Sequence, residues 1–269
     1  MLLLLTGCEE QPGAFFRHES INTRIRESHS LLPHYDDLRY ADTATLRFAA
    51  FSDLHITKEN ENFFPSFEQD ILEKKIDFFV VAGDLTDHGQ AREFDTCLTD
   101  LMHLGIPWFV TLGNHDMYQK NSWNIWKEYF GPSCYTVVLS GKLRLIFLDT
   151  STGSIGNNQF HWLEQVLKES SETNRIVITH YPLYDDPFPS IYRLPGAEER
   201  YKLLSLFHQY DVYAFVSGHL HTFQYKEING IHHFIVGAMN PHKLDKGEHG
   251  YLFFTLKEGG LSWEWIPVP

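Results

Sequence analysis

Cysteine is scarce in this 269-residue chain, which has only Cys8, Cys97 and Cys134. Those spacings make neither a disulfide framework nor a zinc ribbon, so stability must come from a packed core, for which the length is ample. Buried, unlinked thiols are the expectation for Cys97 and Cys134. Basic residues are also few. Lys and Arg total 22 against 35 Asp and Glu, a formal charge of −13. That balance argues against nucleic acid as a bulk partner, which would need a basic face. A small phosphorylated substrate stays compatible with it, because bound cations can reverse the local field. Long apolar runs are missing as well: no stretch reaches the ~20 residues needed to span a bilayer. Internal repeats and low-complexity tracts are absent. Phenylalanine (21) and histidine (16) are plentiful, while the hydrophobic (43%) and charged (21%) fractions are ordinary for a globular protein.

The start of the chain reads Met1-Leu2-Leu3-Leu4-Leu5-Thr6-Gly7-Cys8. Leu5-Thr6-Gly7-Cys8 resembles a bacterial lipobox, where a signal peptide is cut and the cysteine lipidated. The segment has no basic start, and its four leucines fall short of the roughly 7–15 apolar residues of a signal peptide. Two expectations follow. Either translation begins upstream and residues 1–8 are a lipoprotein signal remnant, with lipidated Cys8 anchoring the protein in the cell envelope, or the match is accidental and the protein is cytoplasmic. Residues 9–44 are polar and mixed, and read as a linker with a short helix near residues 21–32, serving as a tether or a lid.

Residues 45–269 read as one domain. Leu46–Phe51, Phe78–Val81 and Trp108–Leu112 are predicted strands, and helices are predicted over Ser66–Lys75, Ala91–Leu104 and Trp123–Phe130. Phe78–Val81 is an apolar run that stops at a glycine, the pattern of a strand buried on both faces. Further along, strands at Arg175–Thr179 and Val212–Ser217 alternate with helices at Gln159–Lys168 and Glu198–Tyr210. Hairpins are expected across Ser140-Gly141 and Asn229-Gly230, and two final strands across Gly259-Gly260. The class is α/β, a layered sandwich with mixed sheets and helices outside.

Polar clusters stand at five predicted strand ends: Asp53 with His55; Asp84 with Asp87; Asn114, His115 and Asp116; His180; and His219 with His221. Residues i and i+2 of an extended segment project to one side, so Asp53 and His55 are expected to grip one ion. Ligand crevices form where parallel strands end. Oxygen and nitrogen donors without sulfur suit Mn, Fe, Zn, Co or Ni more than a structural zinc.

In order, D-x-H, G-D-x-x-D, G-N-H-D, a lone His and G-H-x-H resemble the calcineurin-like metallophosphoesterase family, over roughly residues 46–241. Five blocks in order are far more specific than one. The resemblance implies a four-layer α-β-β-α sandwich and two divalent metal ions. It implies that Asp53, His55, Asp84 and His221 bind the first ion and that Asp84, Asn114, His180 and His219 bind the second. It implies His115 as general acid, oriented by Asp87, with Asp116 fixing its loop. Two divalent ions outweigh the charge of Asp53 and Asp84, so such a site attracts phosphate. A hydroxide held between ions ~3.5–4 Å apart is a nucleophile near neutral pH, and charge stabilisation supplies much of the acceleration.

Aspartate at position 87, where iron-tyrosinate members carry tyrosine, speaks against a purple enzyme. The G-N-H-D and G-H-L-H forms look most like the branch holding class III cyclic-nucleotide phosphodiesterases. The expected activity is therefore phosphodiester hydrolysis, with an envelope phosphomonoesterase or a non-catalytic scaffold as alternatives. Tyr118, Trp123, Tyr184, Phe188 and Tyr192 are candidates for an aromatic rim, with loop packing as the plainer reading. Asp149-Thr150 reads as a local turn, and His242 as a residue that could line the pocket. The segment Tyr181–Gly196 is the expected substrate-selecting loop.

Overall fold

Alternate residues of the first strand enter different cores, and that alternation builds the architecture. In β1 (Leu46–Phe51), Phe48 and Ala50 face one apolar cluster while Ala49 and Phe51 face another. The strand is therefore covered on both sides, as its unbroken apolar run requires. The computed structural model describes residues 19–31, 45–57, 64–184, 192–243 and 249–268. Cys8, the lipobox and Phe188 lie outside them.

The elements run α1 (Ile21–Leu31), β1, α2 (Pro65–Lys74), β2 (Phe78–Ala82), α3 (Ala91–His103), β3 (Trp108–Thr111), α4 (Ser122–Tyr129), β4 (Tyr135–Leu139) and β5 (Leu143–Phe147). Then come α5 (Asn157–Glu169), β6 (Asn174–Ile178), α6 (Ala197–Gln209), β7 (Ala214–Ser217), β8 (Gln224–Ile228), β9 (Ile231–Ile235), β10 (Gly250–Lys257) and β11 (Gly260–Pro267). One sheet has the order β11-β10-β1-β2-β3 and the other β4-β5-β6-β7-β9-β8. Both are mixed: β1, β2 and β3 run parallel beside antiparallel β10, and β5, β6, β7 and β9 run parallel between antiparallel β4 and β8.

Three apolar clusters separate four layers. Phe67, Phe94, Leu101 and Trp126 cover the outer face of the first sheet. Phe78, Val80, Leu145 and Val216 fill the space between the sheets, and Leu163, Leu203 and Phe207 cover the second sheet. Burial on that scale is the main stabilising contribution, at about 25 cal/mol per Å² of apolar surface. The Asn229-Gly230 turn has φ of 54° and 78°, the left-handed pair of a tight hairpin. Glu93 caps the start of α3, its Oε2 accepting the backbone N–H of His88 and of Gln90. Cys97 and Cys134 are buried free thiols.

The first helix forms where the sequence places a short one, in the segment read as a tether or a lid. Arg24, Ile25 and Ser28 of α1 are buried, so this helix is part of the packed body. The Arg24 guanidinium donates from Nε to Asp149 Oδ2 (2.8 Å) and from Nη2 to Asp149 Oδ1 (3.1 Å), with both side chains fully buried. Glu27 Oε2 accepts Trp123 Nε1–H and Lys127 Nζ–H from α4, and Ser133 N donates to Ser28 Oγ. The helix thus straps α4 to the turn after β5. Asp149 does serve its own turn, accepting Ser151 N–H, but its larger role is as counter-ion to Arg24.

Candidate metal centre

The C-terminal ends of β1, β2, β3, β6 and β7 deliver the polar blocks to one place. Asp53 N donates to Gly83 O (3.1 Å) and His55 N to Asp84 O (3.0 Å), so the segment after β1 stays zipped to the segment after β2. His180 Nδ1 bonds Ala82 O at 2.9 Å, tying the second sheet to the first. Gly83 makes that approach feasible. Its φ is 89°, and a Cβ there would lie 2.5 Å from His180 Nδ1. Gly113 is equally constrained, since a Cβ would fall 2.1 Å from Asp84 Oδ1.

Two groups of metal-compatible donors result, each with its atoms within 4.8 Å of one another: Asp53, His55, Asp84 and His221, and then Asp84, His180 and His219. Asp84 belongs to both. Its Oδ2 is 3.7 Å from His55 Nε2 and 3.2 Å from His180 Nε2. His55 Nε2 approaches His221 Nε2 at 3.1 Å, and His219 Nδ1 approaches His180 Nε2 at 3.1 Å. Asn114 adds its Oδ1 at 2.9 Å from His180 Nε2.

The backbone here is not extended. Asp53, His55, Asp84, His219 and His221 have positive φ of 54°, 46°, 50°, 75° and 50°. This corrects the expectation that Asp53 and His55 converge as alternate residues of a strand; they converge because both adopt left-handed conformations. Such residues cost about 1–3 kcal/mol each and persist where the surroundings over-determine them.

Charge explains why the donors suit cations. Asp53 and Asp84 are fully buried, and the basic groups that lower them among the described residues are imidazoles. Burial alone would raise both carboxyls. His221 outweighs it at Asp53, and His180, His115 and His55 outweigh it at Asp84, so both are held below the usual carboxylate range. The response is divided among the histidines. Burial lowers His180, but Asp84 dominates and lifts it to about 9. Burial and the neighbouring His180 push His219 down to about 3. Converging imidazoles and carboxylates of this kind fit borderline divalent cations.

Asp116 fixes the loop, as expected. Its carboxylate accepts Thr86 N–H (2.9 Å), Thr86 Oγ1–H (2.9 Å), Gly113 N–H (3.0 Å) and Leu85 N–H (3.3 Å). His115 sits at the edge of both groups, its backbone N–H on Asp84 Oδ1 at 2.8 Å. Its ring partner is Asp87, through the backbone more closely than through the carboxylate. His115 Nδ1 bonds the backbone carbonyl of Asp87 at 2.9 Å, while the Asp87 carboxylate lies 3.9 Å away. That carboxylate instead takes His55 Nδ1 (3.0 Å) and Lys243 Nζ (2.7 Å). Burial would raise Asp87, and these partners hold it far below its ordinary value.

Of the aromatic candidates, Tyr118 packs edge-on against His115 at 4.7 Å, and Tyr192 lies 6.4 Å from His219. Trp123 belongs to the core and Tyr184 bonds His233 O. Tyr181, with its ring 4.1 Å from that of His219, was not singled out. Lys243 carries no sequence signal either: it follows Asn240-Pro241 in an irregular segment, next to His242, which is exposed.

The calcineurin-like phosphoesterase model matches residues 46–223. The chain belongs to the calcineurin-like phosphoesterase family. This family depends on two metal ions, and the Asp/His groups of this chain are positioned to bind them. Among relatives, a probable cyclic nucleotide phosphodiesterase of Psychrobacter sp. (strain PRwf-1) is 24% identical over 71% of this chain and 63% of its own length. Human tartrate-resistant acid phosphatase type 5 is 24% identical over 66% of this chain and 64% of its own. The chain therefore spans under two thirds of each. A purple acid phosphatase from yellow lupin shares the fold, with a TM-score of 0.69 at 16% identity, covering 85% of this chain and 52% of that one.

Proposed function

We propose that this phosphoesterase is a binuclear metal-dependent hydrolase that cleaves phosphodiesters. The observation that carries the reading is the position of Asp84 Oδ2, which belongs to both donor groups. Asp53, His55, Asp84 and His221 would hold one ion, and Asp84, Asn114, His180 and His219 the other. When bound, two such ions supply charge to neutralise the phosphoryl oxygens and acidify an attacking water.

The chain's own residues do the rest. Asp84 stays ionised, and the His115 N–H on its Oδ1 leaves Oδ2 to face the donors. His115 is the general acid. The Asp87 carbonyl accepts from Nδ1–H and orients the ring, and Nε2 would deliver a proton to the departing alkoxide. Its partial exposure, 13% of the side chain, keeps it within reach of a substrate. Tyr118 and Tyr192 flank the site and suit a base or aryl group.

The diester preference is supported by the phosphodiesterase relative, and the acid phosphatase relatives support the monoester alternative. A panel of bis(p-nitrophenyl) phosphate, p-nitrophenyl phosphate and cyclic nucleotides, run with Mn(II), decides between them. Faster turnover of the monoester would overturn the diester reading. Attachment to the cell envelope through lipidated Cys8 is part of the same proposal, and rests on Leu5-Thr6-Gly7-Cys8. Palmitate labelling of the full-length product, with a Cys8→Ala control, tests it; equal labelling of both would refute it and favour the cytoplasmic alternative.

A further inference from the structure

A third cluster adjoins the two donor groups: His55, Asp87 and His115 also have metal-compatible spacing. A cation is already seated in it. Lys243 Nζ lies 2.7 Å from Asp87 Oδ1, the same oxygen that His55 Nδ1 approaches at 3.0 Å. His115 Nδ1 stands 3.9 Å from that oxygen and bonds the Asp87 backbone carbonyl. The carboxylate therefore lies between a donor residue and the proposed general acid, and it serves the former.

The lysine is built into the site. Pro241–Lys243 forms a single 3-10 turn, with Lys243 N bonding Asn240 O at 3.1 Å and His242 N bonding Asn240 Oδ1 at 2.9 Å. Asn240 is itself buried, and its Nδ2 donates to Leu54 O at 3.0 Å. The backbone that carries Lys243 is thus referenced to the residue next to His55.

Neutral imidazole has one N–H and one lone pair. A carboxylate only accepts, so Asp87 places the His55 proton on Nδ1 and leaves the Nε2 lone pair toward Asp53, Asp84 and His221. We propose that Lys243 is a positioning residue that pins the Asp87 carboxylate on His55, so that His55 presents Nε2 to the first donor group. The proposal rests on the metal-site reading for its consequence, but not for its geometry.

Two measurements on the full chain test it. The first is titration of metal-free protein with Mn(II) by calorimetry, for wild type, Lys243→Met and Lys243→Arg. K243M is expected to weaken one of the two equivalents about tenfold or more, the effect usual for partners of metal-binding histidines, with K243R recovering most of it. The second is the tautomer of His55 in metal-free protein, from the nitrogen chemical shifts of histidine-labelled samples. Wild type is expected to be protonated at Nδ1, and K243M to lose that preference. Unchanged affinities together with an unchanged tautomer would overturn the proposal, leaving Lys243 a surface ion pair. A tautomer change in a protein that binds no Mn(II) would uphold the positioning role and overturn the metal reading alone.

Discussion

Arg24→Met removes the guanidinium from a pair in which both side chains have no solvent exposure. What remains is a buried Asp149 carboxylate that keeps Ser133 Oγ (2.8 Å), Ser151 Oγ (2.8 Å) and Ser151 N (3.1 Å) as donors. Breaking one side of a buried pair costs about 3–5 kcal/mol because the other charge is stranded. The surviving hydroxyl bonds place the expected loss at the lower end, about 3 kcal/mol at pH 7. Urea unfolding measures it, with the midpoint falling. Arg24→Met/Asp149→Asn should recover at least about 1.5 kcal/mol, since neutral Asn keeps most of those bonds. The pH sense is fixed too. Burial would raise Asp149, but Arg24 outweighs it and lowers the group. In the wild type that stability is present above the unfolded carboxyl value and lost as pH falls. Without Arg24 burial prevails and the sign reverses, so the gap between wild type and variant should narrow from pH 7 toward pH 4. Two single variants that each cost under about 1 kcal/mol and add without coupling would refute the reasoning.

Three further outcomes are expected. Glu172, in a two-pronged pair with Arg144 (2.9 and 3.0 Å), is held at about 2: burial raises it, and the Arg144 bond leads the opposing effects. Glu172→Gln should cost about 1–2 kcal/mol at pH 7, discounted for the partial exposure of Arg144; the deficit measured by urea unfolding should vanish as pH falls from about 4.5 to about 2. His233 is fully buried with neither ring nitrogen bonded among the described residues, and burial pushes it down to about 4. Its folded value lies below its unfolded one, so the wild type loses stability as pH falls from about 6.5 to about 4. His233→Leu should be neutral or stabilising at pH 7 and flatten that loss in thermal melts; a loss above about 2 kcal/mol at pH 7 would contradict this. Gly83→Ala, with its Cβ against His180 and φ of 89°, should cost at least about 2 kcal/mol and weaken Mn(II) binding; wild-type stability and affinity would count against the close approach.

Much of the fold was legible because the apolar alternation is strong. Phe78–Ala82 is buried at every position, as an unbroken run beside Gly83 suggests, and Asn229-Gly230 marks its hairpin by local backbone preference alone. The donor blocks were legible because short polar clusters interrupt those runs at strand ends. The conformation that aims them was not. Positive φ at Asp53 and His55 reflects bonds to Gly83 and Asp84, partners from another strand that no local pattern encodes. Lys243 was invisible for the same reason, lying 156 residues from Asp87 in a turn without periodicity. Arg24 hid in a polar stretch, where a buried ion pair and a solvated tether read alike. Trp123 illustrates the converse, since a rim candidate by residue type proved to be core.

The most direct test of the account is the metal content of reconstituted protein. After incubation with Mn(II) and removal of free ions, the wild type should retain two equivalents and Asp84→Asn fewer than one, because Asp84 serves both groups. Two retained equivalents in the Asp84→Asn variant would contradict a shared ligand at the centre of the site.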